Sequence, residues 1–505
     1  MANPNIEPTG AGFTVYPTGT YPADLTNVQW AVDNVVSGGT VLMKSADRQG
    51  QPRYFHFGDD TTSRGSVNAQ RDVVILGEAM APQAFVFPNG RTPDAAFTPD
   101  RTVIYGGLRT FHCMKSNAQA TALTVRHVFF AYPAFSAVQV TKSSGLEVSD
   151  CVVYDIKRAP TGPGSGLVVS VGIEATTLNQ TAPHVRGEAR VLNNVVKRAE
   201  DADYGPADSG IGFQLTDLHA EIRGNKVMGF GFVGIGLDGN RAGAIVEDND
   251  VMSCGYGRGY SQSSGIGVRR TAPSGSGQPL DVTIRNNRIT GGSMAGPGGL
   301  LLNSRNGIAI WGSSKVTVSA NVLTGAVESD GILVTPYAPA NQPSQPSEEN
   351  VIARNDCKAL LAGHAQEFLA STCDKNRSTA NDFGAVDLSG SGVAGTVVHS
   401  DDNELTNETF WGNYPGTNGS PDVPCIWLVS GTKGNRVTAM KRGGGLPAFD
   451  LCTQIQNDDP ANIIPGYERC AHVELQDILE RERQHCLHMG GTWSEASHTC
   501  TLAAT

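Results

Sequence analysis

Six asparagines, Asn194, Asn225, Asn249, Asn287, Asn321 and Asn355, each close a short alternating apolar segment and recur at intervals of 31, 24, 38, 34 and 34 residues. Aligning residues 189–194, 220–225, 282–287 and 316–321 puts an apolar Val191, Ile222, Ile284 or Val318 in one column and the asparagine three positions later. Units this short cannot enclose cores of their own, so a chain built from them must stack coil upon coil and bury each apolar stripe against its neighbours. Asparagine suits an inside bend of such a stack. It tolerates left-handed backbone angles, and its amide can hydrogen-bond its own kind on the adjacent coil.

Each coil carries a second strand with its own signature: Gly210-Ile211-Gly212-Phe213, Gly234-Ile235-Gly236-Leu237, Gly265-Ile266-Gly267-Val268, Gly307-Ile308-Ala309-Ile310 and Gly331-Ile332-Leu333-Val334. Period-two alternation sends the isoleucine and the fourth residue inward. The segments 123–126 and 146–149 fit the first strand, with Val128 and Cys151 near the place of the later asparagines, so the stack begins before the ladder does. These residues resemble the right-handed parallel β-helix, or pectin-lyase-like, superfamily over roughly positions 40–450. The resemblance implies an all-β solenoid. It also implies carbohydrate lyases, hydrolases and epimerases as the commonest activities, beside non-catalytic surface and phage proteins. Neither the Gly-His-Gly of polygalacturonases nor the Asp-Pro-His of alginate epimerases occurs; Ala182-Pro183-His184 only approximates the latter.

A repeat array lengthens without needing new cores, so 505 residues are read as one solenoid with caps: 1–39 an N-terminal segment and capping helix, 40–450 the β-helix, 451–505 a small cysteine-containing helical cap. Leu25, Val28, Ala31, Val32 and Val35 recur at helical spacing and predict the first cap over 24–36; a charged stretch, 471–488, predicts the last. The formal net charge of −11 argues against nucleic acid as a partner, and no apolar run is long enough to span a membrane. Five of the ten cysteines fall after position 424, which points to secretion or the periplasm. The start, Met-Ala-Asn-Pro, carries no charged and apolar leader, so a signal peptide is expected to have been removed or never present. The spacings favour Cys357 with Cys373 and Cys486 with Cys500 as local loops, and Cys151 as an inward hydrophobe. No Cys-x-x-Cys occurs, and Cys486 with His485 and His488 lacks a second ligand pair for zinc, so no metal is assigned and no cofactor is required; an acidic loop leaves calcium open.

Outward positions of the Gly-Ile strands form two columns. One is small: Gly212, Gly236, Gly267, Ala309 and then Leu333. The next is polar or aromatic: Gln214, Asp238, Arg269, Trp311 and Thr335. Such a bare backbone shelf beside orienting side chains is a natural groove for an extended ligand. Two loops are expected to overhang it, 197–209 with Asp201, Asp203, Tyr204 and Asp208, and 253–264 with Tyr256, Arg258 and Tyr260. Adjacent coils lie about 4.8 Å apart, so Asp238 and Arg269 can meet.

The favoured activity is that of a polysaccharide lyase acting on a uronate-containing glycan by β-elimination. Arg269 or Arg258 would hold the substrate carboxylate and Tyr256 or Tyr260 would move the proton. Asp238 and Asp208 belong to the same candidate catalytic set, with Arg270, Trp311, Asp203, Gly236 and Gly267 lining the groove. Two alternatives stay open: hydrolysis by Asp203, Asp208 and Asp238, and a non-catalytic glycan-binding surface protein. Polar outward positions such as Arg190, Glu221, Arg223 and Arg285 favour a monomer. Gly229-Phe230-Gly231-Phe232-Val233-Gly234 matches a dinucleotide fingerprint but runs into a repeat strand rather than a helix, and is set aside.

Overall fold

Alternation and turn chemistry repeat with every coil, and the resulting unit is three short strands separated by three bends. A computed structural model describes residues 3–58, 65–88, 90–107, 112–119, 121–156, 170–176, 187–198, 209–240, 242–256, 263–269, 281–295, 301–337, 344–368, 373–384, 394–411, 424–444 and 448–467, and a few positions from 470 onward. Two compact units divide it: Met1–Thr283 with Ser293–Leu302, and Ile284–Gly292 with Asn303–Thr505.

In the first unit one coil runs through Leu218–Arg223, Lys226–Met228 and Val233–Asp238. The next runs through Ala244–Glu247, Asp250–Met252 and Ser264–Arg269. Each strand pairs in parallel with its counterpart on the next coil, bringing Ile222 to Val246, Val227 to Val251 and Ile235 to Ile266. All six side chains are fully buried. Three parallel sheets thus enclose apolar columns, each such side chain worth about 1.5–3 kcal/mol of burial. The second unit repeats the plan, for example pairing Ile308 with Ile332 and Leu405 with Val437.

The glycine that opens the Gly-Ile signature has a steric cause. A Cβ on Gly210, Gly234, Gly307 or Gly331 would lie 2.6, 2.7, 2.6 or 2.5 Å from the carbonyl oxygen of the equivalent residue one coil on. Backbone approaches backbone there, and only glycine fits.

The asparagine ladder forms as expected within each unit. Asn225 Nδ2 donates to Asn249 Oδ1 (2.9 Å) and to the Val191 carbonyl (2.8 Å), while its Oδ1 accepts from Asn194 N and Nδ2. In the second unit Asn287, Asn321, Asn355 and Asn381 follow the same pattern. The left-handed backbone belongs to the residue before the ladder asparagine: Asn193, Gly224 and Asp248, then Asn286, Ala320, Arg354 and Ala380, at φ between 53° and 67°. The asparagine is required for its amide, because that side chain alone serves the buried groups of two coils. A second ladder, Asn350, Asn376, Asn403, Asn435 and Asn462, was not anticipated. Its signal is the pairing of asparagines five apart, as in Asn350/Asn355 and Asn376/Asn381.

The N-terminal helix α1 covers Ala23–Asn34 and buries Val28, Ala31 and Val32. The first sheet starts earlier than the expected strand at 40–43: Ile6–Thr9 and Gly12–Val15 form an antiparallel hairpin, and Gly12–Val15 pairs in parallel with Gly39–Met43. Cys357 and Cys373 do not pair, correcting the expected loop. Both thiols are buried and outside any disulfide, Cys357 lying within Asp356–Leu361. A disulfide joins Cys452 to Cys470 instead, and Cys486 is also disulfide-bonded. Cys151 is buried as expected. The expected helix over 471–488 lies almost wholly outside the described residues. No helix among the described residues is long and apolar enough to cross a membrane.

Candidate active site

The third sheet of the first unit positions the shelf. Its register aligns Gln139, Glu174, Gly212, Gly236 and Gly267 in one column, and Thr141, Thr176, Gln214, Asp238 and Arg269 in the next. Because the strands bend at the tight glycine, the residue before it shares the outer face: a Cβ on Gly236 would meet Val233 Cγ1 at 3.4 Å, and one on Gly267 would meet Ser264 Oγ at 3.1 Å. Gly236 and Gly267 are half-buried rungs, a floor of bare backbone, whereas Gly212 is buried beneath Val171, whose Cγ1 would lie 2.8 Å from a Cβ there. Along one side Asp238 and Arg269 form the anticipated ion pair, with side chains 22% and 26% exposed.

Glu174 closes the floor and was missed in the sequence. It sits beside Gly212 in Val171–Thr176, is 3% exposed and accepts a hydrogen bond from Gln139 Nε2 at 2.6 Å. Burial pushes its carboxyl up to about 7, with Gln139 opposing the shift. A carboxylic acid that keeps its proton near neutrality can act as a proton donor. The overlooked signal is Gly172-Ile173-Glu174, the repeat signature with an acid in the small column.

Of the other anticipated side chains, Tyr256 and Trp311 are described. Tyr256 is turned into the protein: its hydroxyl donates to the Gly229 carbonyl at 3.0 Å and accepts from Arg198 Nη1 at 2.6 Å, and Arg198 is itself buried. Trp311, in the second unit, stands edge-on to Tyr337 with ring centroids 5.4 Å apart. Asp203, Asp208, Arg258, Tyr260 and Arg270 lie outside the described residues.

In the second unit the equivalent small column reads Ala309, Leu333, Glu367, Val397 and Trp427. Here the outer face carries titratable groups. His364 Nδ1 is 3.0 Å from Asp330 Oδ1 and 3.9 Å from Glu367 Oε2, and His399 Nε2 is 3.4 Å from Glu367 Oε1. Burial and the charge of Glu367 push Asp330 up to about 6. For His364, burial opposes protonation, but its hydrogen bond to Asp330 and the two carboxylate charges outweigh it and raise the pKa.

The family model "Right handed beta helix region" matches residues 209–438. This match, together with the three parallel sheets, gives the fold as a right-handed parallel β-helix. No curated protein matches it. Among solved structures, this β-helix protein is similar to the Dettilon tailspike protein at 12% identity, covering 90% of this chain and 68% of that one with a TM-score of 0.44. It is also similar to the periplasmic alginate epimerase AlgG, as a double mutant, at 11% identity, 86% of each chain and a TM-score of 0.39. A third is DFA-IIIase from Arthrobacter chlorophenolicus A6 without its lid, at 12% identity, 92% of this chain and 97% of that one, TM-score 0.36.

Proposed function

We propose that this β-helix protein is a secreted or periplasmic carbohydrate-active enzyme that cleaves an extended glycan lying along the outer face of its third sheet. The observation that carries this reading is the column Glu174, Gly212, Gly236, Gly267, in which a buried carboxyl shifted upward by burial stands in register with the half-buried glycine rungs Gly236 and Gly267. Glycine rungs let a flat polymer approach the backbone, and the ion-paired Asp238 and Arg269 offer a carboxylate and a fork of donors to its hydroxyls. The Cys452–Cys470 disulfide supports an oxidising compartment.

Among the described groups, the buried Glu174 carboxyl supports hydrolysis as the cleavage chemistry. Glu174 would protonate the leaving glycosidic oxygen and the Asp238 carboxylate would serve as base. Elimination asks for a cation free to hold the substrate carboxylate and a phenol free to move the proton. Of the described candidates, the Tyr256 hydroxyl is held by Arg198 and Gly229, and Arg269 is paired with Asp238, the residue that hydrolysis would use as base; Arg258 and Tyr260 lie outside the described residues.

The test is a screen of neutral and uronate polymers that follows reducing ends and unsaturated-uronate absorbance together. Reducing ends without that absorbance are expected. Activity should fall as pH rises through about 7, where Glu174 loses its proton. Glu174→Gln and Asp238→Asn should each lower kcat by about 100-fold or more. Unsaturated products would replace hydrolysis by elimination, and full turnover in both variants would move the site elsewhere.

A further inference from the structure

Asp330 and His364 are register partners on neighbouring strands, Asp330–Thr335 and His364–Phe368. Glu367 lies three residues beyond His364, at the spacing by which Val233 reaches Gly236 and Ser264 reaches Gly267 on the outer face. One nitrogen and two carboxylate oxygens therefore converge, all within 4.8 Å of one another, from three residues that are each at most 1% exposed. His399, from the next coil, faces the second Glu367 oxygen at 3.4 Å and is 17% exposed.

We propose that Asp330, His364 and Glu367 bind a divalent transition-metal ion of the Zn²⁺ or Mn²⁺ class, with His399 completing the ligand set from the accessible side.

The spacing suits such an ion. Ligands about 2.0–2.2 Å from a tetrahedral metal stand roughly 3.3–3.6 Å from each other. The separations from His364 Nδ1, 3.0 Å to Asp330 and 3.9 Å to Glu367, bracket that edge, and with all three ligand atoms within 4.8 Å of one another, side-chain movements of roughly 1 Å draw them onto one ion. An imidazole among carboxylates favours transition metals over Ca²⁺ or Mg²⁺, which take oxygen ligands. The Asp330 carboxylate is also held in place: Ser329 Oγ donates to Oδ2 at 2.7 Å and leaves Oδ1 directed at His364. A supporting hydrogen bond of that kind orients a metal-binding carboxylate. Electrostatics point the same way, because two carboxylates brought out of water against imidazoles are costly and a dication offsets that cost.

The inference is independent of the glycan reading and is tested by binding alone. Full-length protein is stripped with a chelator, dialysed and titrated calorimetrically with Zn²⁺, Mn²⁺ and Ca²⁺. One Zn²⁺ or Mn²⁺ per chain should bind at micromolar or tighter affinity, with a rise in Tm and little response to Ca²⁺. Asp330→Asn and Glu367→Gln should weaken binding by more than about 100-fold, and His399→Ala by about 10–100-fold. Since a variant at a buried position can misfold, the wild-type chain loaded with Co²⁺ supplies a second readout. Visible absorption bands of a low-symmetry nitrogen–oxygen site should appear at one equivalent. Absence of binding by the wild-type chain up to millimolar ion would overturn the proposal. So would undiminished binding by a folded Glu367→Gln variant.

Discussion

The Glu408 carboxyl takes the place of an asparagine amide on the rung after Asn381. Its Oε2 accepts the Asn381 backbone N–H at 2.7 Å, and its Oε1 lies 2.6 Å from Ser378 Oγ, which also reaches Gln366 Oε1 at 2.9 Å. The group is fully buried, and burial pushes it up to about 8, against opposing hydrogen bonds from Ser378 and Asn381. Burial thus favours the neutral acid inside the coil.

The consequence for stability has a definite sign. A carboxyl whose folded pKa is about 8 against an ordinary 4.5 contributes fully below about pH 4.5, and that contribution is lost as pH rises to about 8. Glu408→Gln keeps the shape and hydrogen bonds of the neutral acid without titrating. Urea unfolding at a series of pH values should find variant and wild type similar near pH 4. The variant should become progressively more stable towards pH 8, by at most about 5 kcal/mol. A difference constant across that range would mean that Glu408 does not carry the proton.

Gly234 and Gly236 are two residues apart and should respond oppositely to the same change. A Cβ on Gly234 would stand 2.7 Å from the Gly265 carbonyl oxygen and 2.6 Å from Val251 Cγ1, so Gly234→Ala forces coils apart at a cost of about 1–3 kcal/mol. A Cβ on Gly236 makes only ordinary contact with Val233, so Gly236→Ala should melt within a few degrees of wild type. Gly236→Phe should also fold and, by covering the floor, abolish glycan turnover. Equal destabilisation by both alanine changes, measured by thermal melts, would contradict the assigned faces.

Asn321 is the ladder position with the clearest set of partners. Its Nδ2 donates to the Ile284 carbonyl and to Asn355 Oδ1, and its Oδ1 accepts from Asn287 N and Nδ2. Asn321→Ala strands several buried groups at about 1–3 kcal/mol each, so unfolding should shift to markedly lower denaturant. The variant Asn321→Asp should fall between the two at neutral pH, because it retains the acceptor but loses the donor.

The sequence alone determined the coil, because a coil is written locally. Alternation chooses which residues face in, glycine marks where backbones nearly touch, and an asparagine three residues after the inward Val or Ile marks the bend. Register then follows from the apolar columns, and with it the meeting of Asp238 and Arg269 across 31 residues. The acid at Glu174 was legible in Gly172-Ile173-Glu174 but not its proton, which depends on desolvation by neighbours from other coils. Tyr256 reads as a loop phenol near a groove, and only packing around Arg198 turns its hydroxyl inward. The cluster of Asp330, His364, Glu367 and His399 had no motif to find. His364-Ala365-Gln366-Glu367 lacks the glycine signature, and its partners stand 34 and 35 residues from His364, brought together only by coil length and the bend of the strand. Local periodicity fixes which way a side chain points; burial, and hence charge and chemistry, is a sum over residues that the chain brings together only when the coils have stacked.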